Sequence, residues 1–139
     1  MEITPVERTL TELDHVRLLN LLRRRARGDG SAPCRAIEDV LEAPTLVPAR
    51  AVAPDVVTMR SQVLLQDLQT GDCSTLTLSY PEQADPAAGR VSVLSPVGSA
   101  VLGLRQGDVA RWSGPSGREM AAEVLAILFQ PESSGDHAL

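Results

Sequence analysis

The hydrophobic period of this chain changes across a stretch punctuated by prolines. Up to residue 43 the apolar side chains recur every three or four positions, and beyond residue 60 they alternate. Pro44, Pro48 and Pro54 lie between the two regimes. Proline fixes φ and removes a backbone donor, so 44–54 reads as a linker. Two parts are expected, 1–53 and 54–139. One period belongs to helices and the other to half-buried strands, which makes the chain α+β.

The first part reads as a short helical hairpin. Thr11 followed by Asp14 is a weak form of the capping box. Leu13, Val16, Leu19 and Leu22 recur at three-residue steps, and Leu18 and Leu21 widen that stripe. Arg23, Arg24, Arg25 and Arg27 crowd the last turns, where cations complement the helix dipole. Gly28, Asp29 and Gly30 then break the helix. Ser31 with Pro33 restarts the chain, and Ala36, Ile37, Val40 and Leu41 mark a second helix ending at Pro44. A helix over 12–27 would be about 24 Å long. Neither helix is long enough to be stable alone, so they must pack on each other or on the second part.

The second part reads as a sheet covered by one helix. Val63, Leu65 and Asp67 alternate with Leu64, Gln66 and Leu68. Leu76, Leu78 and Tyr80 alternate with Thr75, Thr77 and Ser79, and Thr70-Gly71-Asp72 between the two runs is a hairpin turn. Strands are also expected over 90–94, 108–112 and 119–129, antiparallel throughout, with a turn at Gly114-Pro115-Ser116-Gly117. Ser95 and Pro96 open a helix, hydroxyl at the N-cap and proline at the first helical position.

Composition narrows function mainly by exclusion. Hydrophobic residues make up 43% of the 139 and aromatic ones 2%, only Trp112, Tyr80 and Phe129. The core is therefore aliphatic, and base-stacking platforms are missing. All 13 basic residues are arginine against 18 acids, a net charge of -5. No apolar run approaches the ~20 residues that span a bilayer. The segment 1–5 has no apolar leader region. Cys34 and Cys73 have no metal-ligand spacing, and read as free thiols in a reducing cytosol. His15 and His137 each stand alone, so no metal site is expected. No phosphate-binding glycine loop, nucleophile elbow or lysine is present. The expectation is a cytoplasmic, non-enzymatic binding module without cofactor, metal or catalytic residue.

Two local features have alternative readings. The cluster Arg23, Arg24, Arg25 and Arg27 is either a tip that grips acidic groups or a solvated helix end. The small-residue run Ser95, Pro96, Val97, Gly98 and Ser99 either admits a partner closely or lets its helix pack on its own sheet.

Longer stretches resemble a known family. They are Pro54-Asp55-Val56-Val57-Thr58-Met59, Tyr80-Pro81, the run from Val91-Ser92-Val93-Leu94-Ser95-Pro96-Val97-Gly98 through Leu102-Gly103-Leu104-Arg105-Gln106-Gly107-Asp108, and Gln130-Pro131-Glu132 with Gly135-Asp136. These are similar to the bacterial regulators of nucleoside diphosphate kinase, the Rnk family, short relatives of the GreA/GreB transcript-cleavage factors. The resemblance covers nearly the whole chain and is stronger beyond residue 54. It implies an N-terminal coiled-coil hairpin and a C-terminal domain like the FK506-binding proteins (FKBP-like). It also implies a partner, RNA polymerase, met at the rim of its secondary channel around Ser95, Pro96, Val97, Gly98 and Ser99. The implied role is regulation of transcription elongation in competition with Gre-type factors.

Two departures matter. Gre-type tips present a pair of acids to a catalytic Mg²⁺, whereas this tip has Asp29 alone after four arginines. A hard dication needs several oxygens, so stimulation of transcript cleavage, the alternative function, is not expected. Prolyl isomerisation is not expected either, because three aromatic residues cannot build its cradle. Direct nucleic-acid binding through Arg23 to Arg27 conflicts with the acidic net charge. Sequence-specific DNA binding is not expected, and the chain reads as a monomer.

Overall fold

The computed structural model of the chain describes residues 7–28, 35–114 and 116–134. In chain order the elements are β1 (Thr9–Thr11), α1 (Glu12–Gly28), α2 (Arg35–Glu42), β2 (Thr45–Val47), β3 (Gln62–Asp67), β4 (Cys73–Ser79), β5 (Arg90–Ser92), α3 (Pro96–Val101), β6 (Val109–Ser113) and β7 (Glu119–Phe129). The chain is α+β, with a five-stranded sheet in the order β5-β4-β3-β7-β6 and a separate two-stranded sheet of β1 and β2.

Thr11 caps α1 as its hydroxyl position suggests: Oγ1 accepts from the Asp14 amide at 3.0 Å. The buried face of α1 keeps most of the expected stripe but not its centre. Leu18 and Leu21 are in the core and Leu19 and Leu22 pack partly buried against it, whereas Val16 is 54% exposed. A row of three-residue steps slips about 60° around the helix at each step, because one turn takes about 3.6 residues. Leu13 and Leu22 therefore lie on nearly opposite sides. The face that stays on one side runs Asp14, Leu18, Leu21, which puts a carboxylate in the apolar row. In α2, Ile37, Val40 and Leu41 are buried at the spacing of one helical face. His15 Nε2 donates to the Leu41 carbonyl at 3.0 Å, so this lone histidine ties α1 to the end of α2.

The proline-spaced stretch is more structured than a linker. Pro44 and Pro48 bracket β2, which pairs parallel to β1 with Thr9 opposite Thr45 and Thr11 opposite Val47. Three extended residues between prolines need only one partner edge, and β1 supplies it. Buried residues of α1 and α2 share one continuous core with Val57, Met59, Val63, Leu78, Val93, Leu102 and Leu104.

The sheet follows the alternation closely. Val63 and Leu65 of β3 and Leu76 and Leu78 of β4 face the core. The turn between them is held by Asp67 Oδ1, which accepts from the Gln69 and Thr70 amides at 2.7 and 3.1 Å. β7 lies between β3 and β6, antiparallel to both. β5 departs from the all-antiparallel expectation, because it pairs parallel to β4. Pro81 and Pro86 each start a single 3-10 turn in the connection, so no tight hairpin can form. Gly89 at φ +80° then returns the chain beside Thr77. No helix among the described residues is long and apolar enough to cross a membrane.

Candidate functional site

Ser95, Pro96, Val97, Gly98 and Ser99 form one local structure, the start of α3. Ser95 is the N-cap and Pro96 opens the helix. Ser95 Oγ accepts from the Gly98 amide at 3.1 Å and donates to the Ser92 carbonyl at 2.7 Å. Pro96 is exposed, and Ser95 and Val97 are half-buried. Gly98 and Ser99 are buried. A Cβ on Gly98 would collide with the Ser92 carbonyl oxygen, so glycine is imposed by close backbone approach. Ser99 Oγ donates inward to the Val93 carbonyl at 2.7 Å. Within this pentapeptide the exposed surface is Pro96, flanked by half-buried Ser95 and Val97.

The far end of α3 is held by a residue that no pattern in the sequence singled out. Arg8 Nη1 donates to the carbonyls of Ala100 and Leu102 at 2.7 and 2.8 Å, with Ser99 at 3.4 Å. These are carbonyls left without helical partners at a helix end. Burial pulls the Arg8 pKa below its ordinary value, and the charge of Asp108 opposes that shift. Next to it the Thr9 amide donates to the Gly103 carbonyl at 3.0 Å. Gly103 has φ +80°, and a Cβ there would lie 3.1 Å from the Thr9 carbonyl oxygen. The start of the helical segment and the end of α3 are therefore locked together.

A buried polar cluster ties α1 to the C-terminal segment. Asp14, 4% exposed, accepts from the Met59 amide at 3.1 Å. Thr58 Oγ1 donates to Glu132 at 2.7 Å and lies 2.8 Å from Ser61 Oγ. Gln130 Nε2 donates to the carbonyls of Ala53 and Val56 at 2.8 and 2.9 Å. Desolvation pushes the Asp14 carboxyl up to about 6, and the charge of Glu132 adds to the rise. The Met59 amide, the Thr11 hydroxyl and the Arg17 charge oppose it. Burial likewise pushes the Tyr80 phenol up to about 12, with the Asp14 charge contributing and Arg17 and Arg60 opposing. The motif Gln130-Pro131-Glu132 thus performs anchoring from the last strand.

The arginine cluster lies along the outer part of α1. Arg23 and Arg24 are exposed and Arg25 is half-buried. Arg17, Asn20, Arg23 and Arg24 line a shallow concavity. The side chain of Arg27, and Asp29, Cys34, Gly135, Asp136 and His137, lie outside the described residues. Cys73 is an exposed free thiol. Among the described residues no three His, Cys, Asp or Glu side chains are grouped to hold a metal.

Comparison with known proteins places these features in a lineage. The family described as "Transcription elongation factor, GreA/GreB, C-term" matches residues 52–129. The "Regulator of nucleoside diphosphate kinase" of Escherichia coli (strain K12) is 35% identical over 94% of this chain and 95% of its own length. A "Transcription elongation factor GreA" from Desulfovibrio desulfuricans is 32% identical over 77% of this chain, which spans 65% of that protein. Among solved structures, the "Prokaryotic transcription elongation factor GreA/GreB from Nitrosomonas europaea" superimposes with a TM-score of 0.72 at 32% identity, covering 88% of this chain and 100% of that one.

Proposed function

The chain belongs to the GreA/GreB transcription elongation factor family, and from that premise we propose that it is a non-enzymatic regulator of elongation that docks on RNA polymerase. The carrying observation is that the family match over 52–129 includes α3, whose capped start presents Pro96 at the surface. In this reading Ser95, Pro96 and Val97 meet the rim of the secondary channel. Gly98 and Ser99 give that start its shape from beneath.

The sheet and α3 act as an FKBP-like docking body, and α1 with α2 as a short coiled-coil projection. Residues 1–53 and 54–139 carry these two tasks. The projection presents Arg23, Arg24 and Arg25 toward its tip, with Arg27 beyond them and Asp29 as the only acid over 23–34. Lacking a second tip acid, the projection occupies or positions and brings no metal. The protein then competes with Gre-type factors for the same rim, as a cytoplasmic monomer. The association with nucleoside diphosphate kinase in the relative's name extends to this chain as a consequence of transcriptional control.

Competition tests the reading. Unlabelled protein should displace a labelled Gre-type factor from core polymerase in a saturable way, and Pro96→Asp should weaken displacement at least tenfold. Absence of displacement, or full potency of the Pro96→Asp variant, overturns the docking assignment. Addition to backtracked complexes should leave transcript cleavage at its intrinsic rate, and clear stimulation would move the protein to the cleavage cofactors.

A further inference from the structure

A second concavity, of about 560 Å³, is lined by Arg60, Thr77, Ser79, Glu82, Asp85 and Arg90. None of these residues belongs to the start of α3 or to the arginine cluster of α1. Arg60 is its unusual member. Among the described residues it is the one non-glycine with positive φ, at 67°. Glycine would hold that conformation without steric cost, whereas an L side chain is strained there. The surroundings fix the backbone regardless. The Arg60 amide donates to the Leu78 carbonyl at 2.7 Å, and the Leu78 amide to the Ser61 carbonyl at 2.9 Å.

The side chain held there is only partly satisfied. The Arg60 guanidinium lies over the Tyr80 ring, its carbon 5.1 Å from the ring centre. Nη1 is shielded from solvent and has no hydrogen-bond partner among the described residues. Leaving such a donor unpaired is unfavourable. The residue therefore combines a strained backbone and an aromatic platform at the wall of an open cleft, while Nη1 itself is buried out of a ligand's reach. Strained residues held by their surroundings concentrate where ligands are clamped.

The other lining groups define what fits. Arg90 Nε donates to the Gln83 carbonyl at 3.0 Å, and its Nη2 meets Asp85 at 3.5 Å with both side chains about half exposed. Ser79 Oγ reaches the Thr77 carbonyl only at 3.4 Å. Two arginines and two acids give the cleft no net positive charge. A nucleic-acid backbone gains affinity from accumulated positive charge and finds none here. One carboxylate, by contrast, matches the planar donor fork of a guanidinium.

We propose that this cleft binds a single carboxylate, an aspartate or glutamate side chain presented by a partner protein, with Arg60 as the principal donor and Arg90 at its rim. The inference is independent of the docking of α3.

The test is a nuclear magnetic resonance titration of the full nitrogen-labelled chain with a blocked aspartate, acetyl-Asp-methylamide. Saturable shifts are expected at the Arg60 side-chain Nε–H and the Leu78 and Ser79 amides, with half-saturation at millimolar concentration. The blocked asparagine should leave them unmoved. Arg60→Gly removes the guanidinium and the backbone strain together, and Arg60→Gln keeps part of the stem over Tyr80. Both should fold and lose at least nine-tenths of the response. Unchanged titration in the folded variants, equal shifts with blocked asparagine, or tighter binding of inorganic phosphate or a short RNA each overturns the proposal.

Discussion

Replacing Asp14 by asparagine isolates the electrostatics of the α1 anchor. The carboxyl is buried in the core-facing row of α1, accepts from the Met59 amide at 3.1 Å, and titrates at about 6 where an ordinary aspartate has 3.8. That displacement corresponds to about 3 kcal/mol, at about 1.4 kcal/mol per tenfold change in proton affinity. A raised carboxyl holds its proton in the folded chain where the unfolded chain has lost it. Stability is therefore highest below pH 4, falls as pH rises from about 4 to 6, and is flat above 6 with respect to this group. Asparagine keeps an acceptor for the Met59 amide and cannot ionise. It gives up a favourable charge in the first turn of α1, about 0.3–1 kcal/mol. Asp14→Asn should therefore be more stable than the parent by about 2 kcal/mol at pH 7. The stability difference should rise between pH 4 and 6 and then level. Urea denaturation followed through Trp112, the single tryptophan, at a series of pH values measures the difference curve. Parallel curves across that window, or a variant less stable at pH 7 by more than about 1 kcal/mol, refute the assignment.

Three other outcomes follow from the geometry. Gly98→Ala forces a methyl against the Ser92 carbonyl and should cost about 3 kcal/mol or more in denaturant unfolding, whereas Pro96→Asp should leave the fold intact. Arg8→Ala uncovers the carbonyls of Ala100 and Leu102 and should destabilise by about 1.5–3 kcal/mol, with hydrogen exchange rising first at the end of α3 and the start of β1. The phenolate absorbance of Tyr80, the single tyrosine, should develop with a midpoint of about 12. A midpoint near the ordinary 10 would contradict its burial against Arg60 and α1.

The parts of the fold written in local chemistry were readable from the chain. The Thr11 cap, the Ser95-Pro96 helix start, the Asp67–Asp72 turn and the strand 119–129 are each decided by residues a few positions apart. What escaped was decided by distant partners. Asp14 looked like a cap residue because its role depends on the Met59 amide, 45 positions away. Arg8 is an isolated arginine until 91 to 94 positions later the chain supplies three carbonyls. Residues 45–47 read as linker because a three-residue strand has no period of its own and exists only beside β1. At the candidate site the motif around Ser95 was legible, but its division was not. Only the backbone approach of Ser92 separates the internal Gly98 from the external Pro96.

The pairing of β1 with β2 brings the two ends of the helical excursion side by side, with Leu10 opposite Leu46. α1 leaves from that one clasp and α2 returns to it. Once both ends of a segment are pinned, doubling its length costs only about 0.6 kcal/mol in closure entropy. Turns added beyond Leu21 and before Ile37, outside the shared core, would lengthen the segment without disturbing the sheet or the start of α3. A body of constant shape could in this way carry helical segments of different lengths.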